Sequence, residues 1–396
     1  MSNLKIFSEN IKINSKRVIV RLDLNVPISK SSIEDSTRIE IIEPFIKKLI
    51  EKKAKIILIS HLGRPKGKVV KELSLNPIFD YLQKSLNTKV YFYKDNIDQK
   101  AIDASNNLKQ GEVLLIENIR FFKEEEDDNE NFAKNLSKLG DFYINEAFSC
   151  SHRRQASLHK ITNYIDSYGG PLLDKETQSI NLIIKNKKKP VTSIIGGSKV
   201  STKINVLLNL SKNTNNLIIV GAMANNFLKF NGYNVGASLL EKGTEDIIKS
   251  IYSSSEKNNC NVIIPIDCIV SNNLNGLPKP KTLNEIKSED IILDIGEKTI
   301  ELINKTVELS KTVFWNGPAG YFENKNFSKG TLSIAKKISS DTDTKSLISI
   351  VGGGDTIAAL KNVEFRKVFT HLSTAGGAFL ESIEGKELPG IKVLKK

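Results

Sequence analysis

A chain of 396 residues carrying 58 lysines and arginines against 45 aspartates and glutamates, a formal net charge of +13, is longer than one hydrophobic core usually serves, so two domains of ordinary size are expected. Its 39% hydrophobic and 26% charged residues are the composition of a soluble globular protein, and no apolar run approaches the ~18 residues of a membrane span. The opening MSNLKIFSEN has no hydrophobic core of a secretion signal, so a cytoplasmic protein is expected.

In chain order, short runs rich in Val, Ile and Leu alternate with amphipathic stretches, the pattern of parallel sheets covered by helices. The expected strands of the first half are RVIVRLDL, KIILISHL, EVLLIEN and DFYINEAF, with helices over TRIEIIEPFIKKLIEKK and NENFAKNLSKL between them. GPLLDKETQSINLIIKNKKKP then reads as a connecting helix over 171–187, with Leu172, Leu173, Ile180, Ile183 and Ile184 at helical spacing. The second half offers VTSIIGG, NLIIVGAM, NVIIPIDC, TVFWNGP, SLISIVGGGD and KVFTHLSTAGG as strands, and KVSTKINVLLNLSK and TEDIIKSIYSSSEK as helices. The fold class is therefore α/β, with two doubly wound parallel-sheet domains over 1–170 and 188–382. No fixed-period repeat or low-complexity tail interrupts them. Cys150, Cys260 and Cys268 make neither a disulfide framework nor a zinc ribbon and are expected as small buried thiols.

In open α/β sheets, ligands bind beyond the carboxyl ends of the strands. In the first half those ends carry Asp23 and Asn25, His61 and Arg64, Arg120, and then His152 and Arg153. Three arginines so placed suggest a basic bowl for a phosphorylated compound, since guanidinium forks match phosphate oxygens. The second half ends its strands in glycine pairs, where backbone N–H groups approach phosphate oxygens. Lys199 and Lys203 follow Gly196 and Gly197, and Asp355 follows Gly352, Gly353 and Gly354, either as a tight turn or where a Mg²⁺ ligand is useful. Neither a Walker A pattern nor G-x-G-x-x-G is present. The lysines are scattered over helix faces without interleaved aromatics, unlike a nucleic-acid platform.

The segments RLDLNVP, SHLGRPKG, NEAFSCSHRRQAS, IIGGSKVSTKI, FWNGPAGYFE, IVGGGDT and HLSTAGGAF, in this order along nearly the whole chain, resemble the phosphoglycerate kinase family. The resemblance implies two Rossmann-like domains facing a central cleft, joined by the helix 171–187, with residues 383–396 packing back on the first. It implies a monomeric cytoplasmic enzyme of glycolysis that transfers phosphate reversibly between ATP and 3-phosphoglycerate, with Mg²⁺ on the nucleotide, no membrane and no required nucleic acid. Carried over residue by residue, the triose site falls on Asp23, Asn25, Arg38, His61, Arg64, Arg120 and Arg153. The nucleotide site falls on Gly196, Lys199, Lys203, Asn316, Glu323, Gly352, Gly353, Gly354, Asp355 and Thr356, with Asp355 on the metal. Arg38, Lys199 and the N–H groups at Gly376 are implied at the phosphoryl group in flight.

Arg38 by itself, in EDSTRIE, reads as a surface arginine at a helix start capped by Asp35 or Ser36. Trp315 reads as core, and His152 and His371 as structural histidines. The family's usual Asp-Ala-Phe-Gly-Thr-Ala-His-Arg is replaced by Glu146, Ser149, Cys150 and Ser151 ahead of His152 and Arg153. If the replaced glycine is left-handed, Ser149 carries about 1 kcal/mol of strain. Ala375 likewise stands where the family has glycine. The competing reading is a catalytically silent relative that binds anions or nucleic acid, but Arg38, Lys203 and Asp355 are all retained.

Overall fold

The computed structural model describes residues 4–29, 32–185, 187–361, 363–364 and 368–395. Asn186, in the expected connecting segment, and Lys367, the first residue of the expected last strand, lie outside them. The chain forms two compact units, Met1–Thr177 with Glu387–Lys396, and Gln178–Lys386.

The first unit is built on β1 (Arg17–Arg21), β4 (Lys55–Ile59), β5 (Val90–Tyr93), β6 (Val113–Ile116), β7 (Phe142–Asn145) and β8 (Asp166–Gly169), with a small ribbon of β2 (Ile28–Ser29) and β3 (Ser32–Ile33) beside them. The six long strands are parallel in the order β5-β6-β4-β1-β7-β8. Successive side chains point to opposite faces of a strand. Thus Val18, Val20, Ile56, Leu58, Leu115 and Ile144 enter one core, while Ile19, Ile57, Ile59, Leu114, Ile116 and Tyr143 enter the other. Both faces being covered is why these strands read as continuous apolar runs. The edge strands β5 (VYFY) and β8 (DSYG) escaped the sequence reading because an edge needs no such run.

The second unit carries β9 (Val191–Ile195), β10 (Asn216–Ile219), β11 (Asn261–Ile263), β15 (Thr312–Asn316), β16 (Ile348–Gly352) and β17 (His371–Ser373), parallel in the order β11-β10-β9-β15-β16-β17. A separate antiparallel sheet of β12 (Asp267–Ser271), β13 (Lys279–Thr282) and β14 (Ile291–Ile295) has the order β13-β12-β14. NVIIPIDC, expected as one strand, is therefore two strands in different sheets. Pro265 lies in the break and cannot donate to a ladder. Trp315 is fully buried and all three cysteines are buried, as the sequence predicts. Among the described residues, no helix is long and apolar enough to cross a membrane.

The connecting helix runs over Pro171–Ile184. A helix start leaves orphan N–H donors, and buried Glu146, just beyond β7, supplies their acceptor: its Oε2 accepts from Leu172 N at 2.9 Å and Leu173 N at 3.0 Å. Burial nevertheless pushes the carboxyl up to about 7, outweighing those two donors. The folded state thus holds this proton more tightly than the unfolded chain does. The associated stability is complete at pH below ~4.5 and is lost as pH rises to about 7, amounting to about 3 kcal/mol at 1.36 kcal/mol per unit. In urea unfolding at pH 5 and pH 8, Glu146→Gln is expected to lose this part of the pH dependence; an unchanged difference between parent and variant across that range refutes it.

Candidate active site

β1 runs into Asp23 and Asn25, and the loop after β4 brings His61 and Gly63 beside them. The Asn25 N–H donates to Asp23 Oδ1 at 3.1 Å, and Asn25 Oδ1 accepts from Gly63 N at 2.8 Å. Gly63 is left-handed, with φ of 62°, and a Cβ there would lie 2.6 Å from Leu73 Cδ2, so this joint needs glycine. Arg38, from the helix Thr37–Glu51, donates through Nη1 to Asp23 Oδ2 at 2.5 Å. Asp35 rather than Ser36 assists the start of that helix, Asp35 Oδ1 accepting from Thr37 N at 3.0 Å. The Arg120 Nη1 donates to Gly63 O at 2.8 Å, tying the loops after β4 and β6 together. Arg64 is exposed and Arg153 half-buried; among the described residues, neither guanidinium has a hydrogen-bond partner.

Burial opposes ionisation of Asp23, but His61, then Arg38 and the hydrogen bonds from Ser149 and the Asn25 N–H, together outweigh it and hold the carboxyl below its usual range. His61 is buried, and burial together with the charges of Arg21, Arg120 and Arg153 keeps it well below its usual range despite Asp23. The imidazole is therefore neutral at pH 7. Burial, reinforced by Arg21, also lowers Arg120 to about 10.

Arg21, fully buried, was not identified from the sequence. Its Nε donates to Ser157 Oγ at 2.9 Å, and Nη2 lies 3.5 Å from His61 Nδ1. Ser157 in turn donates to buried Glu125 at 2.6 Å. The signal was present: an arginine inside an otherwise apolar strand-end run must be compensated below the surface.

Ser149 is not in the left-handed region. The expected strain is absent because a 3-10 turn, Phe148–Cys150, carries the residue with negative φ. Ala375 also has negative φ.

Asp23, His61 and Cys150 form the one group of three or more metal-capable side chains gathered within reach of each other among the described residues. Cys150 Sγ is 3.9 Å from both His61 nitrogens, equidistant from the two rather than along the lone pair of either. Arg21, Arg120 and Arg153 also make the surroundings positive. This chemistry suits an anion, not a metal.

In the second unit, Lys203 Nζ donates to Gly196 O at 2.5 Å and Asn316 Oδ1 at 2.8 Å. Asn316 Nδ2 donates to Gly352 O at 2.9 Å, and Gly317 N to Thr356 Oγ1 at 2.7 Å. These bonds lash together the carboxyl ends of β9, β15 and β16. Burial lowers Lys203 to about 8, with Asp355 acting the other way. Gly353 has φ of 102°, and a Cβ there would lie 2.7 Å from Asn316 Nδ2, so a side chain would break the lashing. Lys199 and Asp355 remain exposed. The surroundings of Gly354, Gly376 and Gly377 are open, room that a phosphate chain requires.

Glu323 and Asp355 share a cavity of about 380 Å³ with Gly197, Ala222, Asn225 and Leu293. The last three were not named from the sequence, although Ala222 lies in the expected strand NLIIVGAM and Asn225 just beyond it. The cavity's lining is largely apolar, with Leu228, Leu239 and Ile292, and also includes Gly197 and Gly221 of the glycine turns, which suits a base joined to phosphates.

Residues 8–386 match the family described as phosphoglycerate kinase. Proteins of that name from Wolbachia pipientis wMel and Bartonella bacilliformis are 43% and 44% identical over 390 and 384 residues, covering 98% and 96% of both chains. The structure of phosphoglycerate kinase from Coxiella burnetii matches with a TM-score of 0.91 at 38% identity, and that from Pyrococcus horikoshii OT3 with 0.83 at 27%, each over 98% of both chains. With both groups of strand-end residues inside a match of nearly full length, the chain belongs to the phosphoglycerate kinase family, transferases that move a phosphoryl group reversibly between ATP and the carboxylate of 3-phosphoglycerate.

Proposed function

We propose that this kinase divides its substrates between its two units, the triose in the first and the nucleotide in the second. The observation that carries the reading is the arginine set of the first unit: Arg38, Arg120 and Arg153 lie about Asp23 and His61, and Arg153, like Arg64 in the adjoining loop, has a guanidinium without a hydrogen-bond partner among the described residues. Asp23 and Asn25 would receive the triose hydroxyl, and His61, Arg64, Arg120 and Arg153 its phosphate. Neutral His61 contributes a hydrogen bond there without adding charge.

On the nucleotide side, Lys199, Glu323 and the glycine turns would bind directly, while Lys203, Asn316 and Thr356 hold those turns in shape. Asp355 suits a Mg²⁺ ion carried by the nucleotide: it is a single exposed carboxylate at the start of the helix Gly354–Ala359, and Mg²⁺ typically combines one or two carboxylates with phosphate oxygens. Bound there, the ion would neutralise phosphate charge. The acceptor carboxylate is already a nucleophile and needs no general base, so the protein's task is alignment and charge stabilisation. Arg38 would exchange Asp23 for the transferring group, and Lys199 and the N–H groups at Gly376 would complete its cradle. A coupled assay of ADP formation from ATP, Mg²⁺ and 3-phosphoglycerate tests the reading; no turnover refutes it.

In-line transfer requires reacting atoms ~3 to 3.5 Å apart, while each ligand draws on one unit. Neither ligand alone has much reason to favour a closed state. Small-angle scattering is expected to register marked compaction only when 3-phosphoglycerate and nucleotide are both bound, and full compaction with either alone refutes the division. A cytoplasmic monomer acting without nucleic acid fits the scattered surface lysines, and sedimentation would test the monomer.

A further inference from the structure

Ser149 sits in the turn Phe148–Cys150 that follows β7, yet its hydroxyl reaches the neighbouring strand end and donates to Asp23 Oδ2. The same oxygen accepts from Arg38 Nη1, while Oδ1 accepts from the Asn25 N–H. A carboxylate has about four acceptor positions. Three are occupied, and the fourth, on Oδ1, remains for an incoming hydroxyl. The last torsion of an aspartate is soft, so a carboxylate held on Oδ2 by Arg38 alone would follow that mobile cation. Ser149, on a short turn, gives Oδ2 a second anchor that does not move with the arginine.

We propose that Ser149 is a positioning residue for triose binding: its hydroxyl fixes the plane of Asp23 so that Oδ1 meets the substrate hydroxyl, and it keeps Oδ2 satisfied when Arg38 departs. This rests on the reading of Asp23 as the hydroxyl-binding acid. Glycine or alanine at this position would leave Oδ2 of Asp23 held by the ion pair alone, with only the Asn25 N–H on Oδ1 beside it. Threonine would retain the anchor.

The test is steady-state kinetics of full-length Ser149→Ala, Ser149→Gly, Ser149→Thr and Asp23→Asn with 3-phosphoglycerate and MgATP, each checked for cooperative thermal unfolding. Because the lost hydrogen bond acts on the substrate only through Asp23, KM for 3-phosphoglycerate is expected to rise about threefold to tenfold in the alanine and glycine variants, the scale of one ordinary hydrogen bond. KM for ATP should stay unchanged, and the threonine variant should stay within about twofold of the parent for both substrates. Should the alanine variant fail to fold, the glycine variant decides. If Asp23→Asn leaves the triose KM unaltered, the reading of Asp23 fails. If Asp23→Asn raises it while removal of the Ser149 hydroxyl does not, only the inference about Ser149 falls. Equal rises in both KM values, or no rescue by threonine, also overturn it.

Discussion

Arg38→Ala is expected to lower kcat by roughly a hundredfold or more, because a donor aimed at charge that develops in the transition state contributes ~3 to 4 kcal/mol. Arg64→Ala is expected to act mainly on KM for 3-phosphoglycerate, since a contact to a phosphate that does not react is the same in ground and transition states. Arg38 donates to Asp23 at 2.5 Å, so its removal also frees Asp23, and a modest change in triose KM should accompany the loss of kcat. The split between the two arginines is the informative quantity. Unchanged kcat in both variants would remove Arg38 from the transferring group.

Excess EDTA is expected to abolish turnover, and added Mg²⁺ to restore it. Asp355 is one exposed carboxylate, too little to hold Mg²⁺ without phosphate oxygens. The one cluster of metal-capable side chains among the described residues, Asp23 with His61 and Cys150, belongs to the first unit and is surrounded by arginines. Metal and nucleotide should therefore bind together. Asp355→Asn is expected to raise the apparent KM for MgATP about tenfold, the effect of losing ~1.4 kcal/mol, with the triose KM unmoved. Full activity in EDTA would dispose of the metal's role and of Asp355 as its ligand.

The sequence by itself determined the layered α/β class. Strands covered on both faces must be largely apolar, so β1, β4, β6, β7, β9, β10, β15 and β16 announce themselves as short runs dominated by aliphatic and aromatic residues. It also singled out the carboxyl ends of those strands, because polar residues and glycines gathered there add little to an apolar core. Arg38 needed the family resemblance, since a lone arginine on the first turn of a helix looks like any solvated one. Tertiary structure decided the rest. It assigned Lys203, Asn316 and Thr356 to the lashing between glycine turns, placed Arg21 beneath His61, and brought the Ser149 hydroxyl to Asp23 across 126 positions of chain. It also separated β11 from β12 at Pro265. The physical reason is common to these cases: local periodicity reports which side of an element is dry, whereas the partner of a polar atom depends on which distant strand ends the sheet order makes neighbours.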